Sequence, residues 1–250
     1  GLGVILFERS SRSVRPTPAG RALVPFAEAL LDAASALAAE AVRQATPSIR
    51  FAYPPLVGAL AARVARRLSH RSPAIAVDLR PAGWTAATAA LRSGEVPVAI
   101  LSHPFPPGLP TTARFQVPVA HLAVPAGDPL AGRAATIVPD DLRRHRVLLP
   151  RTRPPGSMWA RLAARVRQHR VVDPDINDDF AAALDLVAAG AGVLPAPRLL
   201  AETIRRHDVR FVPFDAGDLR ITYGLVWRPD AATAEVMALV GTVQEALRTR

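Results

Sequence analysis

Between Ile49 and the C-terminus, short apolar segments alternate with segments of helical periodicity, and this alternation constrains the fold more than any other feature of the sequence. Consecutive strands joined through helices lie side by side in a parallel or mixed sheet, which the helices cover on both faces. The sequence therefore predicts an α/β fold. About 200 residues of this pattern are enough for two similar lobes. Segments 116–124 and 209–219 are candidates for the connections between those lobes.

The individual elements follow from the apolar runs and from the turn residues between them. The predicted strands are Ile49–Tyr53, Ile75–Arg80, Val96–Leu101, Val147–Leu149, Gly192–Leu194, Val209–Phe214 and Leu219–Trp227. The predicted helices are Leu56–His70, Trp84–Arg92, Ser157–His169, Asp179–Ala189, Pro197–Arg206 and Ala231–Leu247.

The first 46 residues follow a different pattern. Residues 1–17 predict a small basic hairpin in which arginines alternate with serines, and a helix begins after it with Thr17 as N-cap and Pro18 in the first turn. Small and apolar residues then recur in alternating steps of four and three, which is typical of a helix that pairs with another helix. The predicted dimerisation residues are Leu23, Ala27, Leu30, Ala34, Leu37 and Ala41.

Composition excludes several classes of protein. The net charge is +10, and all 31 Lys or Arg positions are Arg. This charge is only modest support for nucleic-acid binding. Because the sequence has no Cys, it has neither disulfides nor thiolate metal sites, and this is consistent with a reducing, cytoplasmic location. The longest uncharged stretch, 96–113, contains five prolines and cannot form a membrane-spanning helix. The sequence thus predicts no membrane partner.

Motif searches favour a binding protein over an enzyme. The six His residues are too far apart to pair on one helix, HExxH and GxSxG are absent, and a Walker motif needs a Lys that the sequence lacks. Gly190 and Gly192 follow a helix instead of preceding one, so they do not form a dinucleotide fingerprint. We therefore expect no metal, no cofactor and no catalytic residue.

The segment LGVILFERSSRSVRPTPAG, from Leu2 to Gly20, resembles the end of the winged helix-turn-helix domain of LysR-type transcriptional regulators. LRSGEVPVAIL from Leu91 and DLVAAGAGVLP from Asp185 resemble two recurrent stretches of that family's effector-binding domain. Pro16 and Pro97 depart from the family pattern. The resemblance implies that about thirty residues, including the recognition helix, precede Gly1.

The resemblance also implies an architecture and a set of partners. Residues 1–17 would be a wing remnant, 18–46 a linker and dimerisation helix, and 47–250 a two-lobed effector-binding domain similar to type 2 periplasmic binding proteins. Lobe I would comprise about 47–122 and 213–250, and lobe II about 123–212. The expected partners are double-stranded DNA, a small-molecule effector and further copies of the chain in a homodimer or homotetramer. Hairpin residues expected to contact DNA are Arg9, Ser10, Arg12 and Arg15.

The effector is expected between the lobes, because ligands of open parallel sheets bind beyond the carboxyl ends of the strands, near helix N-termini. The candidate residues are Pro55, Leu56, Gly83, Trp84, Ser102, His103, Arg153, Ser157 and Trp159. They would suit a small organic anion with an apolar or aromatic part. Structural roles compete with this interpretation: Ser157 can cap its helix, the two tryptophans can belong to the core, and His103 can be structural.

Two other functions remain open at this point. A stand-alone solute-binding protein would have a secretion signal and no helix-turn-helix. An enzyme on the same bilobal fold would need convergent ionisable groups. The effector, the target genes and the sign of regulation do not follow from the sequence.

Overall fold

A computed structural model describes residues 3–9, 14–45, 48–166, 170–172 and 179–248. The chain divides into two compact units, Gly1–Ser48 and Ile49–Arg250.

The first unit is the predicted hairpin followed by the predicted helix. Strands β1 (Phe7–Arg9) and β2 (Val14–Pro16) pair antiparallel, and helix α1 spans Pro18–Ala45. The Thr17 hydroxyl accepts a hydrogen bond from the Gly20 amide at 3.0 Å and donates one to the Ile5 carbonyl at 2.7 Å. Thr17 therefore caps the helix, as predicted, and also ties it to the chain that enters the hairpin.

The N-terminal half of α1 is exposed. Leu23 is half-buried, whereas Ala27, Leu30 and Ala34 of the predicted dimerisation set are exposed, and Leu37 and Ala41 also fall within the helix. Three larger apolar side chains that the heptad pattern did not include are exposed beside them, Val24, Phe26 and Leu31. The exposed apolar face of α1 is therefore wider than the stripe formed by the predicted dimerisation residues. Its role in dimerisation stays a prediction.

The second unit contains nine strands and six helices within the described residues. The strands are β3 (Ser48–Tyr53), β4 (Ala76–Pro81), β5 (Val98–Ser102), β6 (Thr111–Pro125), β7 (Arg146–Leu148), β8 (Arg170–Val172), β9 (Leu194–Pro197), β10 (Val209–Pro213) and β11 (Arg220–Trp227). The helices are α2 (Gly58–Ser69), α3 (Trp84–Ser93), α4 (Met158–Arg165), α5 (Phe180–Ala188), α6 (Arg198–Thr203) and α7 (Ala234–Arg248).

The main sheet is mixed, as the sequence predicts. Its strand order is β10-β6-β11-β5-β3-β4, with β9 also paired to β6. Strand β3 is parallel to β5, whereas β11 is antiparallel to both β5 and β6. Strands β7 and β8 form a separate parallel pair. The first lobe is built on β3, β4, β5, β11 and the start of β6, and the second lobe on the end of β6 with β7 to β10.

Strand β5 shows why the sequence forms a sheet covered on both faces. Val98 and Ile100 point into the large core cluster that contains α2 and α7, while Ala99 and Leu101 point into a smaller cluster with α3. Successive side chains of a strand alternate between faces, so a continuous apolar run requires cover on both sides. All four residues are fully buried.

Strand β6 is the largest departure from the predicted elements. The sequence suggested a connection between lobes around 116–124 and predicted no strand there, whereas the chain forms one 15-residue strand. Up to Pro118 it pairs with β11, and from Val119 onwards it pairs with β9 and then β10. Pro118 interrupts the apolar pattern of this strand, and its partners come from distant parts of the chain, so no local signal marks it as one strand.

Several element bounds also differ. The predicted helix from Ser157 ends at Arg165, and the remaining predicted positions 167–169 lie outside the described residues. The helix predicted from Leu56 begins instead at Gly58, after a short 3₁₀ turn at Pro55–Val57. This turn uses the amide of Val57, which donates to the Pro54 carbonyl at 2.9 Å.

Candidate functional site

A cavity of about 280 Å³ opens between the two lobes of the second unit. Most of its lining is apolar or aromatic, as is typical of small-molecule sites. The lining residues are Pro54, Leu56, Trp84, Ser102, His103, Gly156, Ser157, Met158, Trp159, Arg161, Phe180, Arg220, Ile221, Thr222 and Tyr223.

Both lobes contribute to the cavity. The first lobe supplies the ends of β3 and β5 and the start of α3, and the second lobe supplies the loop before α4, the start of α4 and the start of α5. The start of β11, Arg220–Tyr223, completes the wall where the chain returns from the second lobe to the first. A ligand in this space would contact residues of both lobes at once.

Aromatic rings form much of the wall and hold one another in place. Trp159 is only 8% exposed, and its ring lies 5.8 Å from that of Phe180. Tyr223 stacks on Phe115 at 5.3 Å. The Trp84 indole N–H donates to the carbonyls of Ser102 and Pro104, at 3.1 and 3.0 Å. Each of these rings thus contacts another ring or donates a hydrogen bond, which favours its present position in the cavity wall.

The formal charges in the lining are positive. Arg161 and Arg220 line the cavity, and none of the lining residues is Asp or Glu. Arg220 donates to the Asp218 carbonyl at 3.2 Å and to Gln116 Oε1 at 3.0 Å, both of which are uncharged acceptors. Arg161 donates from Nη2 to Asp218 Oδ2 at 2.6 Å. The electrostatics of the cavity thus favour an anion over a cation.

Asp218 lies beside the cavity and is strongly paired. Arg165 donates to its Oδ1 and also to the Ala216 carbonyl. Hydrogen bonding from Arg165, with the nearby charge of Arg161, lowers the pKa of the Asp218 carboxyl below its usual value. The carboxyl is therefore ionised at neutral pH.

Two candidate residues have clear structural roles. The Ser157 hydroxyl accepts a hydrogen bond from the Ala160 amide at 3.1 Å, so it caps α4 as the alternative interpretation expected. His103 packs edge-on against Phe105, with ring centroids 5.6 Å apart, and a β-carbon at Gly156 would lie 3.5 Å from its Cε1 atom. His103 therefore brings the first lobe close to the loop before α4 in the second lobe.

The structure gathers most of the sequence-predicted effector residues around this one cavity. Its lining includes Leu56, Trp84, Ser102, His103, Ser157 and Trp159. Three others do not line it: Pro55 is exposed beside it, Gly83 is the N-cap of α3, and Arg153 donates to the Pro150 carbonyl at 2.9 Å. The roles of all nine in effector binding stay predictions.

Arg161, Phe180 and the start of β11 line the cavity but were not predicted from the sequence. Arg161 lies one helical turn after Ser157, so the helix predicted from Ser157 could have pointed to that position. No local signal marks Arg220–Tyr223, because these residues reach the cavity only through the pairing of β11 between β5 and β6.

The described residues contain no group of His, Asp and Glu side chains arranged to hold a metal ion. Within the same ranges, no helix is both long enough and apolar enough to cross a membrane.

In the hairpin, Arg9 falls in β1 and Arg15 in β2, where Arg15 is exposed opposite Glu8. Ser10 and Arg12 lie outside the described residues. The contacts of all four with DNA stay predictions.

Comparison with known proteins shows the family. The model of the LysR substrate-binding domain matches residues 43–248, most of the chain. The chain belongs to the LysR family of transcriptional regulators. Two curated relatives are each a "probable hydrogen peroxide-inducible genes activator" and match over 141 residues, 53% of this chain. The Mycobacterium xenopi protein is 35% identical, and the match spans 72% of its length. The Mycobacterium leprae protein is 31% identical, and the match spans 44% of its length.

Solved structures show that this LysR-family chain has the family's fold. The effector-binding domain of a BenM variant covers 81% of the chain and is itself covered to 95%, with 19% identity and a TM-score of 0.65. A cysteine-to-serine mutant of Corynebacterium glutamicum OxyR with bound H2O2 covers 99% of the chain and is covered to 80%, with 23% identity and a TM-score of 0.59. The fold is the two-lobed arrangement similar to type 2 periplasmic binding proteins.

Proposed function

We propose that this LysR-family chain senses a small organic anion with an aromatic or apolar part in the cavity between its lobes. The observation that carries the proposal is the cavity itself, which has aromatic walls, two lining arginines and no lining carboxylate. Burial of an aromatic ring against Trp159 and Phe180 would make the binding free energy more favourable. Hydrogen bonds from the nearby guanidinium groups would do the same for an anionic group.

The response to the ligand follows from the position of the cavity. Because its lining comes from both lobes, a ligand that touches both binds a closed arrangement more tightly than an open one and shifts the population towards closure. In a regulator of this type, closure of the lobes would change the packing between subunits and so move the DNA-binding domains. The separate unit with the hairpin and α1 has an exposed apolar helix face that would serve subunit packing, and its hairpin arginines would serve DNA contact.

Peroxide sensing, suggested by the names of the mycobacterial relatives, has less support in these residues. Peroxide acts on protein thiols by oxidising them, and the 250 residues contain no Cys. The effector is therefore better sought among organic anions. Enzymatic activity has no supporting observation within the described residues.

The test is a titration of the 250-residue chain with small carboxylates, followed by the fluorescence of its three Trp residues, two of which line the cavity. The panel contains benzoate, salicylate, phenylacetate and several aliphatic mono- and dicarboxylates. We expect saturable quenching or enhancement by at least one aromatic acid and no specific response to hydrogen peroxide. Absence of saturable binding across the whole panel would contradict the proposal.

The hairpin is expected to contribute phosphate contacts to DNA binding. Replacing Arg9 and Arg15 with Ala should weaken binding of the chain to duplex DNA of any sequence, because each Arg that neutralises a phosphate releases a counterion. The slope of log K against log salt should fall by about one for each phosphate that is no longer neutralised. Fluorescence anisotropy with two unrelated duplexes at low salt measures both quantities. The matched control is Arg210→Ala, at an exposed position on β10; an equal loss there would assign the effect to net charge alone.

A further inference from the structure

Arg161 takes part in two different environments. It lines the cavity between the lobes, and its Nη2 atom also donates to Asp218 Oδ2 outside the lining. Its side chain remains 42% exposed, so it is not locked in place by packing. A guanidinium carries five N–H donors, and this hydrogen bond uses one of them. The group has donors left for a second acceptor inside the cavity.

Asp218 does not depend on Arg161 alone. Its other carboxylate oxygen accepts a hydrogen bond from Arg165, which also holds the Ala216 carbonyl of the same turn. If Arg161 turned towards a ligand, Asp218 would still be paired with a cation. Leaving a charge without a partner is the usual cost of breaking an ion pair, and here that cost is avoided. Arg161 is the exchangeable member of this trio, because it makes one hydrogen bond to this turn whereas Arg165 makes two.

The residues around Arg161 suit a carboxylate attached to a ring. Trp159 and Phe180 are close in the lining and provide apolar surface, and Arg220 adds a second positive charge on the same cavity. A guanidinium binds a carboxylate through two parallel hydrogen bonds, a geometry that an ammonium group does not reproduce.

We propose that Arg161 is the residue that binds the carboxylate of an aromatic effector, and that Asp218 competes with this carboxylate for Arg161 in the empty cavity. The inference rests on the proposed function, because it assigns the anion subsite within the same cavity. It predicts that the site distinguishes an aromatic acid from its neutral amide. It also predicts that Asp218 lowers the affinity for the acid, since its negative charge opposes that of the ligand.

The experiment compares benzoate with benzamide, its neutral counterpart of nearly the same shape, by isothermal titration of the 250-residue chain. Arg161→Gln should weaken benzoate binding about tenfold or more and change benzamide binding little. Arg161→Lys keeps the charge but not the paired donors, and should recover only part of the loss. Asp218→Asn should strengthen benzoate binding about threefold and leave benzamide unchanged. Arg210→Gln, which removes one positive charge from an exposed site outside the cavity lining, is the matched control.

The difference between the two probes separates binding from structure. A purely structural role of the Arg161–Asp218 pair would change both affinities together, and that result would overturn the inference, as would unchanged benzoate binding in Arg161→Gln. Failure of the unaltered chain to bind benzoate would overturn it too. The proposed function would nevertheless survive if another carboxylate of the panel bound, so the two failures are distinguishable. Because Arg161 is exposed, thermal unfolding of each variant is expected to match the unaltered chain and verifies that the fold is kept.

Discussion

Replacing Phe51 with Ala is expected to lower the free energy of unfolding of the second unit by about 3 to 5 kcal/mol. Phe51 is fully buried at the centre of β3, where it faces the large core cluster and is paired with Val98 of β5. The substitution removes most of the ring's packing and leaves a cavity that the neighbouring strands, β5 and β4, cannot close.

Urea unfolding followed by circular dichroism measures this loss. The matched control is Met237→Ala in α7 of the same unit, where the side chain is 43% exposed and where a change of less than about 0.5 kcal/mol is expected. A similar effect of both substitutions would contradict the assignment of β3 to the core.

Replacing Trp159 with Ala is expected to give the largest loss of ligand binding. Its ring is both part of the core and part of the cavity wall, in contact with Phe180. Removing it should enlarge the cavity and leave Phe180 without its ring contact. The affinity for an aromatic carboxylate should fall by more than tenfold, because a stacking surface worth about 1.5 kcal/mol is lost. The unfolding free energy should also fall by about 3 kcal/mol.

Trp159→Phe separates these two effects, because it keeps an aromatic surface opposite Phe180. Calorimetric titration with the best ligand of the carboxylate panel, together with urea unfolding, is the measurement. If Trp159→Ala kept full affinity for that ligand, the ligand would have to bind elsewhere than in this cavity.

The sequence was most informative where structure is local. Thr17 and Pro18 predicted the start of α1, the apolar run Val96–Leu101 predicted a strand, and the alternation of strands and helices predicted a sheet covered on both faces. Helix starts and strand ends are encoded within a few residues, and the prediction that such ends converge on one cleft required only the general topology of α/β sheets.

The sequence was least informative where partners come from far along the chain. Strand β6 was not predicted as one strand because Pro118 interrupts its apolar pattern, and only the pairing with β9, β10 and β11 makes it regular. The same reason explains why Arg220 and Tyr223 were missed. The Arg161–Asp218 pair joins positions 57 residues apart, and no local pattern links them.

Strand β6 has a mechanical consequence for the regulator. The described chain passes between the lobes twice, once within β6 at Pro118 and Val119 and once on the return from Phe214 to Leu219. The Val119 amide donates to the Leu219 carbonyl at 3.0 Å, so these two passages are joined by a hydrogen bond. If one lobe rotates against the other, we therefore expect the backbone torsions of these two adjacent segments to change. Asp218 is one residue before Leu219, so a ligand that drew Arg161 away from Asp218 would act next to the two segments that join the lobes.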